Sequence, residues 1–159
     1  MKMKMLLFLI ISICLASCTG QDTISSEDQA GAYFAVFEAL YAADPGLNAD
    51  STYLVVDLSK VKLADTEPLI ALFQNFCDTS GYILMLDTID GLKEKGYVVN
   101  LGFSDGFVIT FDDVRLEKNT LVTEAMKWRS GDGAIGAEYT VKLKGSTWAI
   151  TKSDKGWIS

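Results

Sequence analysis

From Phe107 onward the chain alternates. Phe107, Ile109 and Phe111 are interleaved with Val108, Thr110 and Asp112. Val122, Glu124, Met126 and Trp128 are interleaved with Leu121, Thr123, Ala125 and Lys127, and Tyr139, Val141 and Leu143 with Thr140, Lys142 and Lys144. Trp148 and Ile150 open a fourth run that continues toward Trp157 and Ile158. A period of two sends successive side chains to opposite faces of a strand, so these runs specify an antiparallel sheet with one face turned to a core. Glu117-Lys118-Asn119 and Lys144-Gly145-Ser146 are short, turn-forming connections of the hairpin kind.

Ahead of the sheet the periodicity is helical. Ser25-x-x-Asp28 and Ser26-x-x-Gln29 carry the capping-box pattern, and Tyr33, Phe34, Phe37, Leu40 and Tyr41 recur at spacings of three and four. The spacing predicts a helix over 27–43, stopped by Asp44-Pro45-Gly46. Residues 53–58 and 82–86 are apolar runs of strand character. Thr66 with Pro68 predicts the start of a second helix, carried to about Asp78 by Leu69, Leu72, Phe73 and Phe76. Thr88 caps a short third helix that stops at Lys95-Gly96. The expected architecture is α+β: N-terminal helices packed on a C-terminal antiparallel meander sheet, in a single domain over residues 27–159.

The first residues have a different character. Lys2 and Lys4 precede an apolar run from Met5 to Ala16, too short for a membrane-spanning helix of about 20 residues and followed at once by polar sequence. That is the layout of an export signal. Leu15-Ala16-Ser17-Cys18 then resembles the lipobox of bacterial lipoproteins. The resemblance implies cleavage after residue 17 and a diacylglyceryl group on Cys18. It also implies a lipidated tether over 18–26 and a domain held at the cell membrane or outer membrane, facing the periplasm or the cell exterior. Removing Lys2 and Lys4 leaves 12 basic residues of the 14 against 21 acidic ones, a net charge of about −9. A domain so acidic is repelled by phosphate backbones and anionic lipid, so nucleic acid is not expected as a partner and the lipid itself supplies the anchor.

Functional chemistry is narrowed by what the chain lacks. It has no histidine. That excludes Ser-His-Asp and Cys-His catalysis and His-ligated zinc, and neither a cofactor nor a metal is expected. Beyond Cys14 and Cys18 the remaining thiol is Cys77, expected on an apolar helix face with Asp78 opposing its ionisation. Gly131-Asp132-Gly133-Ala134-Ile135-Gly136 matches GxGxxG, but 138–141 alternates as a strand where a dinucleotide site needs a helix, so a glycine-rich hairpin is expected. Asp105, Asp112 and Asp113 lack calcium-loop spacing, and adjacent aspartates on a strand face opposite sides. Asp57, at the end of an apolar run, is a candidate buried acid without an assigned role. Trp128, Trp148 and Trp157 read as core or rim residues rather than a sugar platform. The most suggestive surface is Lys127, Arg129, Gly131, Asp132 and Gly133. With Trp128 in the core, both cations point outward beside flexible glycines and form a candidate partner patch.

A long N-terminal helix, small helices and then a curved antiparallel sheet resembles the NTF2-like or cystatin-like shape. The stretch from Met126 to Ala137, with the close Trp157-Ile158-Ser159, is similar to uncharacterised secreted or lipid-anchored bacterial domains, some attached to sensor peptidases. These resemblances imply an extracytoplasmic accessory domain and supply no catalytic residues. The lipobox, the compact α+β pattern and the absence of a convincing catalytic group lead to the expectation of a non-enzymatic domain that binds a protein partner of the cell envelope. The alternatives are a small-ligand or hydrolytic pocket using Asp, Glu, Tyr or Lys, and a structural envelope role.

Overall fold

The fold begins with a helix whose first turn is tied down by its own side chains. In the computed structural model, which describes residues 25–154 and 156–158, helix α1 spans Ser26–Ala43. Ser25 caps it, its Oγ accepting from Asp28 N at 3.1 Å and donating to the Asp28 carboxylate at 2.7 Å. The signal segment, the lipobox with Cys18, and the tether up to residue 24 lie outside the described residues. Tyr33, Phe37 and Leu40 are fully buried, as their spacing predicts, while Phe34 and Tyr41 pack sideways. Helix α2, Glu67–Ser80, receives them: Phe34 lies 5.7 Å from Phe73 and Tyr41 5.0 Å from Phe76, ring centre to ring centre. Thr66 occupies the cap position of α2 without using its side chain, and the Asp65 carboxylate accepts from Glu67 N at 3.0 Å. A third helix, α3, Ile89–Glu94, is capped by Thr88, whose Oγ1 accepts from Gly91 N at 2.9 Å.

All strands join one sheet. β1 is Tyr53–Val56, β2 Ile83–Leu86, β3 Gly106–Glu117, β4 Thr120–Ser130, β5 Gly133–Lys144, β6 Thr147–Ser153 and β7 Trp157–Ile158. The order is β2-β1-β3-β4-β5-β6, with β7 pairing β5 beyond the end of β6. The expected meander is present as β3 to β6, and helices pack on it, so the α+β class holds. The sheet is larger than the meander, however, because β1 and β2 extend it as parallel strands along β3. For β1 the unbroken apolar run explains why, since a strand covered on both faces has no polar face to alternate with, whereas β2 lies at the sheet edge with Ile83 and Leu86 exposed.

The crossovers set the layers. β1 leads through α2 to β2 on one side, and β2 leads back through α3 to β3 on the other. Right-handed connections running in opposite directions put their helices on opposite faces. Leu54 and Val56 of β1 therefore pack with α1 and α2, while Val55 packs with Leu92 of α3 and with Phe103 and Val108. On β3, Phe107, Ile109 and Phe111 face α1 and α2. A bulge between Asp112 and Arg115, with Asp113 at φ 45°, inserts one residue and returns Val114 and Leu116 to that same core face. Beyond the reach of α3, no helix among the described residues lies over the second face of β3, β4 and β5.

Candidate functional site

The candidate patch at the end of β4 is built differently from the sequence expectation, and the expectation that Lys127 and Arg129 both point outward is corrected here. Lys127 is fully buried, on the same face as Ala125 and Leu121, beneath α1. Its stem crosses the core and its ammonium emerges at the C-terminus of α1. There Nζ donates to Asp44 O at 2.6 Å, Asn48 Oδ1 at 2.9 Å and Tyr41 O at 3.3 Å. Helix α1 has no basic residue in its last turn. Lys127 supplies that cation from the sheet, meeting carbonyls left unpaired by the helix end and the negative end of its dipole. Burial holds its pKa down to about 8, and the Asp44 charge only partly offsets this.

Arg129 is committed in the same way. Nη1 donates to Ala49 O and to Leu47 O, and Nη2 donates to Ser104 O at 2.9 Å. It ties the turn after α1 to the segment entering β3. The two cations of the expected patch are thus structural fasteners, each aimed at backbone oxygens.

The glycines of the patch do lie at the surface, and they have a neighbour that sequence reasoning missed. Gly131 N donates to Leu101 O at 2.9 Å, and Asp132 accepts from Ser130 Oγ at 2.9 Å. Leu101 belongs to a two-residue turn closed by Val99 N to Gly102 O at 2.8 Å and Gly102 N to Val99 O at 3.0 Å. Its central residues, Asn100 and Leu101, stand at φ 51° and 63°. A turn with two positive φ values favours Asn followed by Gly, and leucine there is strained. The same turn exposes Leu101 by 74% and Val99 by 65%. Neither residue carries a composition or periodicity signal, which is why the tip was not legible.

The remaining candidates separate cleanly. Cys77 is buried on α2, and burial, with Asp78 second, pushes its thiol up to about 11, so it is not a nucleophile at neutral pH. Asp57 is half-buried but closes a local turn, accepting from Ser59 N at 2.8 Å. Asp105 and Asp113 are exposed, and Asp112 pairs with Lys60. Trp148 lies against Gly31 of α1 and donates from Nε1 to Asp28 O. Trp128 packs with the cluster under α3. Trp157 is 51% exposed and laid across Gly136, so the three tryptophans form no common platform.

On the uncovered face of β3, β4 and β5 a cavity of about 240 Å³ opens. The pairing register builds its floor. Thr110, Met126 and Gly136 stand side by side across the three strands, and Asp112, Glu124 and Glu138 form the next row. Trp157 closes one side. Asp112 is paired with Lys60 and Glu138 with Arg115 at 3.0 Å, whereas the central Glu124 has no ion-pair partner among the described residues. Thr110 is 7% exposed and its Oγ1 has no hydrogen-bond partner among the described residues. Among the described residues no three acidic, histidine or cysteine side chains converge as a metal site.

No protein-family model, curated protein or solved structure matches the chain.

Proposed function

We propose that the chain is a lipid-anchored accessory domain of the bacterial cell envelope, non-enzymatic, held at the bilayer through a diacylglyceryl group on Cys18 and binding a protein partner at the end of the fold remote from that anchor. The observation that carries the reading is the 99–102 turn, an exposed Val-Leu pair held on strained backbone beside the Gly131-Asp132-Gly133 hairpin. Strained, exposed apolar residues are a common mark of contact surfaces. The position of the turn also supports it. Ser25 opens α1, and Lys127 and Arg129 fasten the far end of α1 to the end of β4, next to which Gly131 N donates to Leu101 O. Eighteen helical residues separate the two ends by about 27 Å. In this reading the lipid and the apolar tip belong to opposite ends of α1.

The test is a cross-linking capture of the full-length protein from its own membranes, read by mass spectrometry beside Cys18→Ala and Leu101→Gly. One dominant partner is expected, lost when the lipid is lost and lost again with Leu101→Gly, while the folded state persists. Recovery of no specific partner, or of the same partner by all three proteins, would overturn the reading.

A further inference from the structure

The two edges of the sheet are finished differently. β6 lies at one edge, and it carries Lys152 and a register shift opposite Thr140 and Val141. Charges and bulges of that kind keep foreign strands away. β2 lies at the other edge and reads Ile83-Leu84-Met85-Leu86, with no charge, proline or register shift. Ile83 N donates to Thr52 O at 2.8 Å and Asp87 N to Val56 O at 3.3 Å. In a parallel ladder alternate residues bond to the same neighbour. Ile83, Met85 and Asp87 therefore face β1, and Leu84 and Leu86 turn their N–H and C=O groups outward. Among the described residues no strand pairs with that side. The side chains beside it are apolar on both faces of the sheet. Leu84 packs with the α1 and α2 core and Met85 with the α3 cluster, so Leu86 lies on the first face and Ile83 on the second, 47% and 53% exposed.

The surrounding charge selects the occupant. Cys77 O accepts from Tyr82 N at the start of β2, and the adjacent Asp78 is exposed with no ion-pair partner among the described residues. Beyond Leu86, Asp87 pairs with Lys95 and Asp90 with Lys93, which leaves Glu94 as an excess acid at that end too. A second copy of the chain, net −7, brings the same acids. A segment with cations on either side of its apolar run meets them with opposite charge. We infer that the open edge of β2 receives an extended apolar segment of a protein partner, flanked by lysine or arginine, as an added strand. Its backbone bonds to Leu84 and Leu86, and its alternate side chains cover Ile83 on one face and Leu86 on the other. This surface shares no residue with the 99–102 turn, and the inference does not rest on that turn.

The test is a titration of the full-length protein with a fluorescent peptide, Lys-Lys-Thr-Val-Ile-Val-Thr-Lys-Lys, followed by anisotropy, with hydrogen exchange of the backbone amides as a second readout. Saturable binding is expected, together with slowed exchange at Leu84 and Leu86. The same peptide with glutamate in place of lysine is expected to bind severalfold more weakly. With proline in place of both valines it is expected not to bind, because it lacks donors to the edge. Leu86→Pro removes one outward N–H at a position where an edge strand tolerates proline, and is expected to weaken binding severalfold. The exchange readout on the wild-type protein decides the matter whether or not that variant folds. Leu101→Gly leaves peptide binding unchanged, so this surface and the apolar tip fail separately. Sedimentation of the free protein is expected to show a monomer; a dimer dissociated by Leu86→Pro would assign the edge to a second copy and overturn the inference. No saturable binding, equal affinity for the glutamate or proline peptide, binding without protection of Leu84 and Leu86, or loss of binding in Leu101→Gly would each overturn it as well.

Discussion

The two halves of the sheet are made of similar strands and treated in opposite ways. Where β1 pairs with the start of β3, helices or loops cover both faces, and Leu54, Val55, Val56, Phe107 and Val108 are all fully buried. Where β3, β4 and β5 continue past α3, α1 alone among the described helices covers the sheet. The free face there carries Asp112, Glu124, Met126 and Glu138 around a cavity. The difference separates tasks. The doubly covered half supplies stability through buried area, and the half-open part can carry exposed charge, a bulge and an unpaired hydroxyl because the fold does not depend on them.

The largest effect that would sharpen this contrast is a cavity cut into the covered half. Phe107→Ala is expected to lower unfolding free energy by about 3–5 kcal/mol, the range for a buried phenylalanine. Met126→Ala, on the open face, is expected to change it by less than about 1 kcal/mol. Denaturant midpoints measure both. Equal losses would mean that the open face contributes to the core as much as the covered one.

Lys127 fastens β4 to the end of α1, and its removal comes next. Lys127→Met keeps the buried stem and removes the ammonium from three acceptors, so a loss of about 2–3 kcal/mol is expected at pH 7. The pH dependence has a definite sign. The folded state holds this group near pH 8 against its ordinary 10.5. Between those values the unfolded chain carries the proton and the folded chain has released it, so raising the pH through that window stabilises the fold. Cys77 works in the other direction: its thiol is raised from 9.0 to about 11, so stability present below pH 9 is lost as pH climbs toward 11. Both proteins keep Cys77, so the difference between wild type and Lys127→Met isolates the lysine. That difference should grow from pH 8 to pH 10; a flat difference would place the ammonium in water rather than at the end of α1.

Two glycines test the contrast at the backbone. A Cβ on Gly106, in the covered half, would stand 2.3 Å from Tyr53 O, within the β1–β3 pairing. A Cβ on Gly136, in the open half, would meet the Trp157 ring at 3.0 Å, an exposed side chain free to swing away. Gly106→Ala is expected to cost about 1–3 kcal/mol. Gly136→Ala should cost a few tenths of a kcal/mol and show itself as a changed Trp157 emission spectrum. If both unfold the protein equally, the open half is not the tolerant one.

Much of this was legible in the residues. The alternation of 107–112, 121–128 and 139–144 identified the meander, and Ser25 and Thr88 marked helix starts that their hydroxyls do cap. The unbroken runs 53–56 and 83–86 announced strands, but their parallel attachment to β3 depends on long-range pairing that no local pattern encodes. The orientation of β4 was ambiguous for a physical reason. Both of its faces carry apolar side chains, and the larger set, Met126 and Trp128, points away from α1. The face that α1 covers has small Ala125 and the stem of Lys127, whose charge disguises a core position because only its tip needs a polar environment. The cavity joins Thr110, Glu124 and Trp157 through strand register, again beyond the reach of a single sequence window.

The smallest expected effect concerns the apolar tip, which stands outside both halves. Leu101 holds φ 63° in a turn whose geometry suits glycine at that position. Leu101→Gly removes a left-handed leucine and should stabilise the fold by about 1 kcal/mol, less the entropy glycine loses on folding. The exposed side chain buries little, so its loss offsets little of the gain. A rise in denaturant midpoint together with failure to capture a partner would show a residue kept for contact at a cost to stability. A fall in the midpoint would mean that Leu101 packs on the Gly131 hairpin strongly enough to hold the end of the sheet together, and the strain at 99–102 would then have a structural cause.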